Sequence, residues 1–238
     1  MSDEAALRRL TEEFHHIGRD LSAVPNIDAA LPVLTQTSLR LIPHAACAGI
    51  SRVRKGQFES TAVTSGLPPR VDAIQYELKS GPCVDAVLEQ TIFRTGDLAG
   101  DPRWPEFGKR AAAETGVNSM LAFRLFLDEG DLLIGLNMYS TAHDAFTEED
   151  ELTGSLLATH GALIVGRARA RERAENLEVA VESNRSIGMA IGILMARFVV
   201  TKEDAFDLLR ISSQRSHRRI ADIATEVVDT GTLDISGI

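Results

Sequence analysis

Two cysteines in 238 residues, one tryptophan, two tyrosines and no long apolar run limit what this chain can be. Cys47 and Cys83 are too few for a disulfide framework or a cysteine-built metal staple. No stretch of about 18 apolar residues occurs, so a membrane-spanning helix is not expected. The first residues, Met1-Ser-Asp-Glu-Ala, are acidic where a secretory leader would be basic, and this predicts a cytoplasmic protein without a membrane partner. Phosphate-binding loop, dinucleotide fingerprint, HExxH, GxSxG and CxxC patterns are all missing, so no catalytic residue is assigned and a non-enzyme is expected. The six histidines are scattered or, as His15 and His16, adjacent and divergent, which suits surface or capping roles better than a metal site.

What is present is an ordinary globular composition, 44% hydrophobic and 25% charged, long enough for one large domain or two modest ones. The net charge of -9 is unevenly placed. Residues 1–166 hold 14 basic against 23 acidic side chains, and residues 167–238 hold 11 of each. Within the tail, Arg210, Arg215, Arg218 and Arg219 crowd around His217, so a local basic patch is possible despite the global sign.

Spacing and punctuation divide the chain. Leu7, Leu10, Phe14, Ile17 and Leu21 form one helical stripe that ends before Pro25. Asn26 and Asp28 precede a helix to Leu41. Ala46–Val53 and Phe58–Val63 read as a hairpin around Lys55-Gly56-Gln57. Helices are expected over Pro68–Leu78, Cys83–Leu88 and Pro105–Glu114, with Ile92–Thr95 extended. Ser119–Leu127 and Leu132–Ser140, split by Asp128-Glu129-Gly130-Asp131, give the clearest hairpin signal.

Thr147 followed by three acids marks the start of a long helix. Without proline from Glu148 to Met195, one continuous helix would reach roughly 70 Å. A heptad a series runs through Leu156, Leu163, Ala170, Leu177, Asn184 and Ile191. The d series is Leu152, Thr159, Gly166, Arg173, Ala180, Ile187 and Leu194, broken in its middle. The pattern predicts a parallel homodimeric coiled coil with Asn184 setting register; a solvated single-helix linker is the alternative. Where Gly166, Thr159 and Arg173 weaken the seam, two helix arrangements would lie close in energy. Beyond it, Thr201 caps a helix to about Ser213 with Ala205, Leu208, Leu209 and Ser212 on one face. Ser216 is expected to cap a last helix carrying Ile220, Ile223, Ala224, Val227 and Val228, stopped by Gly231.

Cys83 follows Ser80-Gly81-Pro82, so its thiol would sit at the positive end of a helix with a lowered pKa; the competing reading is a small buried hydrophobe. RNA-binding proteins gain affinity from cations on phosphates and read unpaired bases by stacking and hydrogen bonds. Arg197, Lys202, Arg210, Arg215, Arg218 and Arg219 are the candidate cations, against a bland reading as a solvated helix face. No Trp or Tyr lies beyond Tyr139, so stacking falls to His217, an arginine plane, or Phe198 and Phe206, both expected to be buried.

Ile187-Gly-Met-Ala-Ile-Gly-Ile-Leu-Met-Ala-Arg197, Glu203-Asp-Ala-Phe-Asp-Leu-Leu-Arg210 and Ile220-Ala-Asp-Ile-Ala-Thr-Glu-Val-Val228 occur in the order and spacing of an ANTAR domain, which this segment resembles over about residues 184–232. That resemblance implies a three-helix RNA-binding head on a coiled coil, acting as a dimer on paired stem-loops of a leader transcript to prevent terminator formation. Two departures stand out: Ile191 where many members have lysine, and His217 where asparagine is common.

Gly81-Pro-Cys-Val-Asp-Ala86, Asp97-Leu-Ala-Gly-Asp-Pro-Arg-Trp-Pro105, Gly116-Val117 and Leu133–Ser140 resemble a GAF domain. This implies an antiparallel sheet between helices, enclosing a small-molecule or redox-sensing pocket near Cys83 and Trp104, or serving only as a dimer scaffold. Cyclic nucleotide, haem and bilin are ligands of that fold, and no cofactor is assigned here.

The expected architecture is therefore α+β: a GAF-like sensor (1–146), a connector helix (147–183), an all-α ANTAR-like head (184–232) and a short tail (233–238). The expected function is signal-responsive, RNA-binding transcription antitermination. Its rivals are a cysteine-dependent methionine sulfoxide reductase and a sensor whose tail binds only protein.

Overall fold

Asn26 opens the first described helix by accepting a hydrogen bond from the Ala29 amide at 3.0 Å, which satisfies one of the otherwise orphaned donors of a helix start. The computed structural model describes residues 24–89, 92–125 and 132–233; the stripe from Leu7 to Leu21 and the turn at 128–131 lie outside them. The chain divides into two compact units, Met1–Arg171 and Glu172–Ile238.

In the first unit the elements are α1 (Ile27–Leu41), β1 (Cys47–Arg54), β2 (Gln57–Thr61), α2 (Leu67–Leu78), α3 (Pro82–Glu89), β3 (Ile92–Thr95), α4 (Pro105–Thr115), β4 (Ser119–Leu125) and β5 (Leu132–Ser140). The five strands form one antiparallel sheet in the order β2-β1-β5-β4-β3. Both expected hairpin pairs are present, with β2 ending at Thr61, two residues short of the expectation.

The period-two alternation of strands sorts side chains to the two faces of the sheet. Ile50, Leu121, Phe123, Leu125, Leu136 and Met138 face one way and pack with Leu31 and Leu34 of α1. Cys47, Met120 and Tyr139 face the other way and pack with Val71, Ile74, Cys83, Trp104 and Phe107 of the α2–α4 layer. The central strands are covered on both sides, which explains why β4 and β5 read as near-continuous apolar runs rather than alternating ones.

The long helix α5 runs Glu148–Phe198. Thr147 and Asp150 cap its start reciprocally, the Asp150 amide donating to Thr147 Oγ1 at 3.2 Å and the Thr147 amide to Asp150 Oδ2 at 2.8 Å. Its first turns belong to the core of the first unit: Leu157, Ala158, Ala162 and Val165 are buried with the sheet and α1. Close approach explains two glycines on this face. A Cβ at Gly154 would lie 2.3 Å from the Phe123 ring, and one at Gly161 would lie 2.9 Å from the Leu34 methyls.

In the second unit the last part of α5 packs with α6 (Lys202–Ser216) and α7 (Ile220–Thr230). Their common core is Ala190, Ile191, Leu194, Ala205, Leu209, Ile223, Ala224, Val227 and Leu233. Thr201 and Asp204 form a capping box at the start of α6, and Gly231, in the left-handed region at φ +68°, closes α7. Ser216 does not cap α7 as expected. It is the last residue of α6 and its hydroxyl returns to the Ser212 carbonyl at 2.7 Å, while Arg219 occupies the N-cap position. The observed class is α+β followed by an all-α unit, as expected from the sequence.

Candidate functional site

Two groups of residues carry the chemistry, one in each unit. The first is a buried polar cluster between β1, β5 and the helices α2 and α3. Strand register places Ser51 opposite Ser60 and Tyr139 opposite Cys47, and alternation turns Ser51, Asn137 and Tyr139 toward α2 and α3. Asp72 of α2 is fully buried and receives hydrogen bonds from Tyr139 at 2.5 Å, Ser60 at 2.5 Å and the Gln75 amide at 3.2 Å. Burial pushes its carboxyl up to about 6, against those hydrogen bonds, which pull it down.

Cys83 is the second member. Its thiol donates to Ser51 Oγ at 2.9 Å and receives the Asn137 amide at 3.1 Å, and Ser51 in turn bonds Tyr76 at 2.6 Å. Gly81 positions it, with φ +143°. A Cβ there would meet the Gln75 carboxamide at 2.4 Å, whose oxygen accepts from the Cys83 amide at 2.9 Å. Of the two readings the sequence offered, a thiol lowered by the helix start and a small buried hydrophobe, the structure bears out the second. Burial, then the nearby Asp72 charge, pushes Cys83 up to about 12. At neutral pH it is a thiol, not the thiolate a nucleophile or redox sensor needs. Cys47 is buried and raised in the same sense, again chiefly by burial.

Trp104, the other expected pocket residue, is buried, with its Nε1–H donating to Asp85 at 2.5 Å and the Arg103 guanidinium 4.4 Å from its ring centre. It belongs to the same packed layer as Cys83. Asp72, Ser51, Asn137 and Tyr139 were missed by sequence reasoning. The signal was there for Asn137, a lone amide in the apolar run Leu133–Ser140, at the same strand parity as Tyr139. Its Oδ1 is buried with no hydrogen-bond partner among the described residues. Among the described residues no group of three or more His, Cys, Asp or Glu is arranged to hold a metal ion.

The start of α5 is fastened to the sheet by two side chains from elsewhere in the first unit. His44 Nδ1 lies 2.8 Å from Asp150 Oδ2, and Arg94 of β3 donates to Glu151 at 2.9 Å and to the Phe146 carbonyl at 3.1 Å. Along the expected seam Leu156, Leu163, Ala170, Leu177 and Asn184 are all exposed, Leu163 by 69% and Leu177 by 65%. Ile191 differs: it lies in the core of the second unit with Ala205 and Leu209.

The second group is the set of cations on the helical head. Arg197 donates to the Gly231 carbonyl at 2.7 Å, Arg210 pairs with Asp207 at 2.9 Å and Arg218 pairs with Glu226 at 2.7 Å. Lys202, Arg215 and Arg219 are exposed, and their side chains have no hydrogen-bond or ion-pair partner among the described residues. His217 is exposed too, in the left-handed region at φ +53°, where it ends α6. Phe198 is half-buried against the core, whereas Phe206, expected to be buried, is exposed.

Residues 25–165 match the family model of the GAF domain. The chain belongs to the GAF domain family. Behind it, residues 175–228 match the model of the ANTAR domain, so a GAF domain is followed by an ANTAR domain. None of the curated proteins matches this chain. Among solved structures, the GAF domain of a phosphoenolpyruvate-protein phosphotransferase from Coxiella burnetii is similar at 20% identity and a TM-score of 0.52, covering 69% of this chain and 96% of that one. Free methionine-R-sulfoxide reductase from Neisseria meningitidis, in complex with its substrate, is similar at 18% identity and a TM-score of 0.54, covering 71% and 95%. The GAF domain of an Acinetobacter phosphoenolpyruvate-protein phosphotransferase is similar at 12% identity and a TM-score of 0.52, covering 73% and 99%. At these identities the likeness shows the fold of the GAF domain. An ANTAR domain implies an RNA-binding antitermination regulator and a GAF domain a sensor, an architecture that fits a regulatory protein. No helix among the described residues is long and apolar enough to cross a membrane.

Proposed function

We propose that this GAF–ANTAR protein is a signal-responsive antitermination regulator that works as a homodimer in the cytoplasm, each ANTAR head holding one of two paired stem-loops in a leader transcript. The observation that carries the reading is the ANTAR match over a head whose Lys202, Arg215 and Arg219 have no partner among the described residues and stand ready for phosphates. Arg197, Arg210 and Arg218 join them by exchanging internal acceptors for RNA, and His217 lies between the free cations at the end of α6.

The dimer is formed along the exposed stripe Leu156, Leu163, Ala170, Leu177 and Asn184. Exposed leucines at seven-residue spacing on one helix face are supplied with a neighbour by a second copy of the same helix. The seam stops before Ile191, because the same stripe is there used up by the head's own core. Residues 147–183 thus act as the connector, and the head starts near Asn184. A signal in the GAF domain reaches the connector through the residues that fasten its start, His44 with Asp150 and Arg94 with Glu151. The signal shifts the two dimer arrangements only by its differential affinity for them.

Cysteine-dependent turnover is not favoured, since both thiols are buried and raised. The reading is tested by single-round transcription through a terminator preceded by two adjacent stem-loops. Added full-length protein is expected to raise read-through; unchanged termination at saturating dimer refutes the reading.

A further inference from the structure

Phe206 is the only exposed Phe, Tyr or Trp among the described residues, at 39% exposure. Every other described Phe, Tyr and Trp is buried or half-buried, and the half-buried Phe198 packs on the core of the head. Ala205, next to it in the chain, and Leu209, three residues on, are buried in that core, whereas Phe206 leaves 39% of its surface to solvent. Met189, Met195 and Val199 of the head are exposed as well, and of these exposed apolar side chains Phe206 alone presents an aromatic ring.

Its surroundings say what would cover it. On α6, positions four residues apart share a face, so Lys202 and Arg210 flank Phe206 on either side. Lys202 has no partner among the described residues, and Arg210 is held by Asp207 through an exposed pair of the kind that contributes little. Glu203, three residues before Phe206, and Asp207, beside it, are exposed carboxylates that make the ring itself a poor seat for a phosphate. A flat apolar ring between two cations, with acids close by, fits a neutral base whose adjoining phosphates lie outward on Lys202 and Arg210. Unpaired bases stack on aromatic rings because every base has a π face, and RNA recognition concentrates on such bases in loops.

The geometry points to Phe206 as the stacking platform for one unpaired loop base of the bound RNA, with Lys202 and Arg210 holding the phosphates on either side of it. This rests on the RNA-binding reading above and adds the residue that touches a base.

The test uses the full-length protein and a stem-loop RNA carrying 2-aminopurine at one loop position at a time. The expected result is a single loop position whose fluorescence changes on binding to the wild type and to Phe206→Tyr but not to Phe206→Leu, which binds roughly ten- to a hundredfold more weakly. With wild-type protein, an abasic site at that same position produces a similar loss, a readout independent of how any variant folds. Equal binding by Phe206→Leu, or tolerance of an abasic site at every loop position, overturns the assignment while RNA binding stands. Equal RNA binding with loss of dimer mass in Phe206→Leu overturns it in favour of a protein contact. Failure of the wild type to bind any stem-loop overturns the RNA-binding reading and the assignment with it.

Discussion

The Tyr139 hydroxyl donates to Asp72 Oδ1 across 2.5 Å, tying the central strand β5 to α2 through a fully buried carboxylate. Asp72 is raised to about 6 in the fold, against about 3.9 in an unfolded chain. Between those values the native state holds more protons than the unfolded one, so the contribution of Asp72 to stability is full below pH 4 and is lost as pH rises through 6. Urea midpoints of the wild type and Asp72→Asn, taken at pH 4.5 and pH 7, are expected to shift relative to each other in favour of Asp72→Asn at the higher pH. A difference that is constant with pH contradicts the assignment.

Thiol reactivity follows from the same cluster. Cys47 and Cys83 are buried and both are raised above the ordinary thiol range. Ellman's reagent is expected to find no fast-reacting thiol in the native protein at pH 7.5 and two after denaturation. A fast native reaction lost in Cys83→Ser would revive a redox role.

The glycines of α5 divide by what surrounds them. Gly154→Ala drives a methyl into the Phe123 ring and is expected to cost about 1–3 kcal/mol. A Cβ at Gly188 or Gly192 would meet no described atom within 4 Å beyond the helix's own backbone, so alanine at either is expected to stabilise the helix by up to about 1 kcal/mol. Chemical denaturation of the three variants checks both signs.

Much of this architecture was legible from punctuation and spacing. Ile92–Thr95 and the β5 strand Leu132–Ser140 are bounded by turn residues, and Pro105 and Thr147 mark the helix starts at α4 and α5. Of the two readings of Cys83 the small buried hydrophobe holds, because the helix-start argument considers only the local dipole, while the pKa is decided by burial and by Asp72, eleven residues earlier in the chain. Asp72 itself was invisible: an acid on a short helix looks solvated until the sheet closes over it. Phe206 was expected to be buried on its type alone, although the neighbouring Ala205 and Leu209 already completed the inward face of α6. The a series of the heptad continued through Ile191, and only tertiary structure shows that the head's own core covers it there.

If Leu163 and Leu177 line a dimer seam, an acid at each breaks it. Leu163→Glu with Leu177→Glu is expected to halve the mass found by sedimentation at micromolar protein, leaving the secondary structure unchanged because both side chains are already exposed. An unaltered mass removes the seam from this face.

RNA binding by the head is tested most directly by retention of a labelled RNA with two adjacent stem-loops across a salt series, for the wild type and for Lys202→Ala, Arg215→Ala and Arg219→Ala combined. The account predicts saturable binding whose logarithm falls linearly with the logarithm of salt, with the slope reduced by about 1 for each cation removed. Absence of binding by a verified dimer, or a slope the triple variant leaves unchanged, would contradict it.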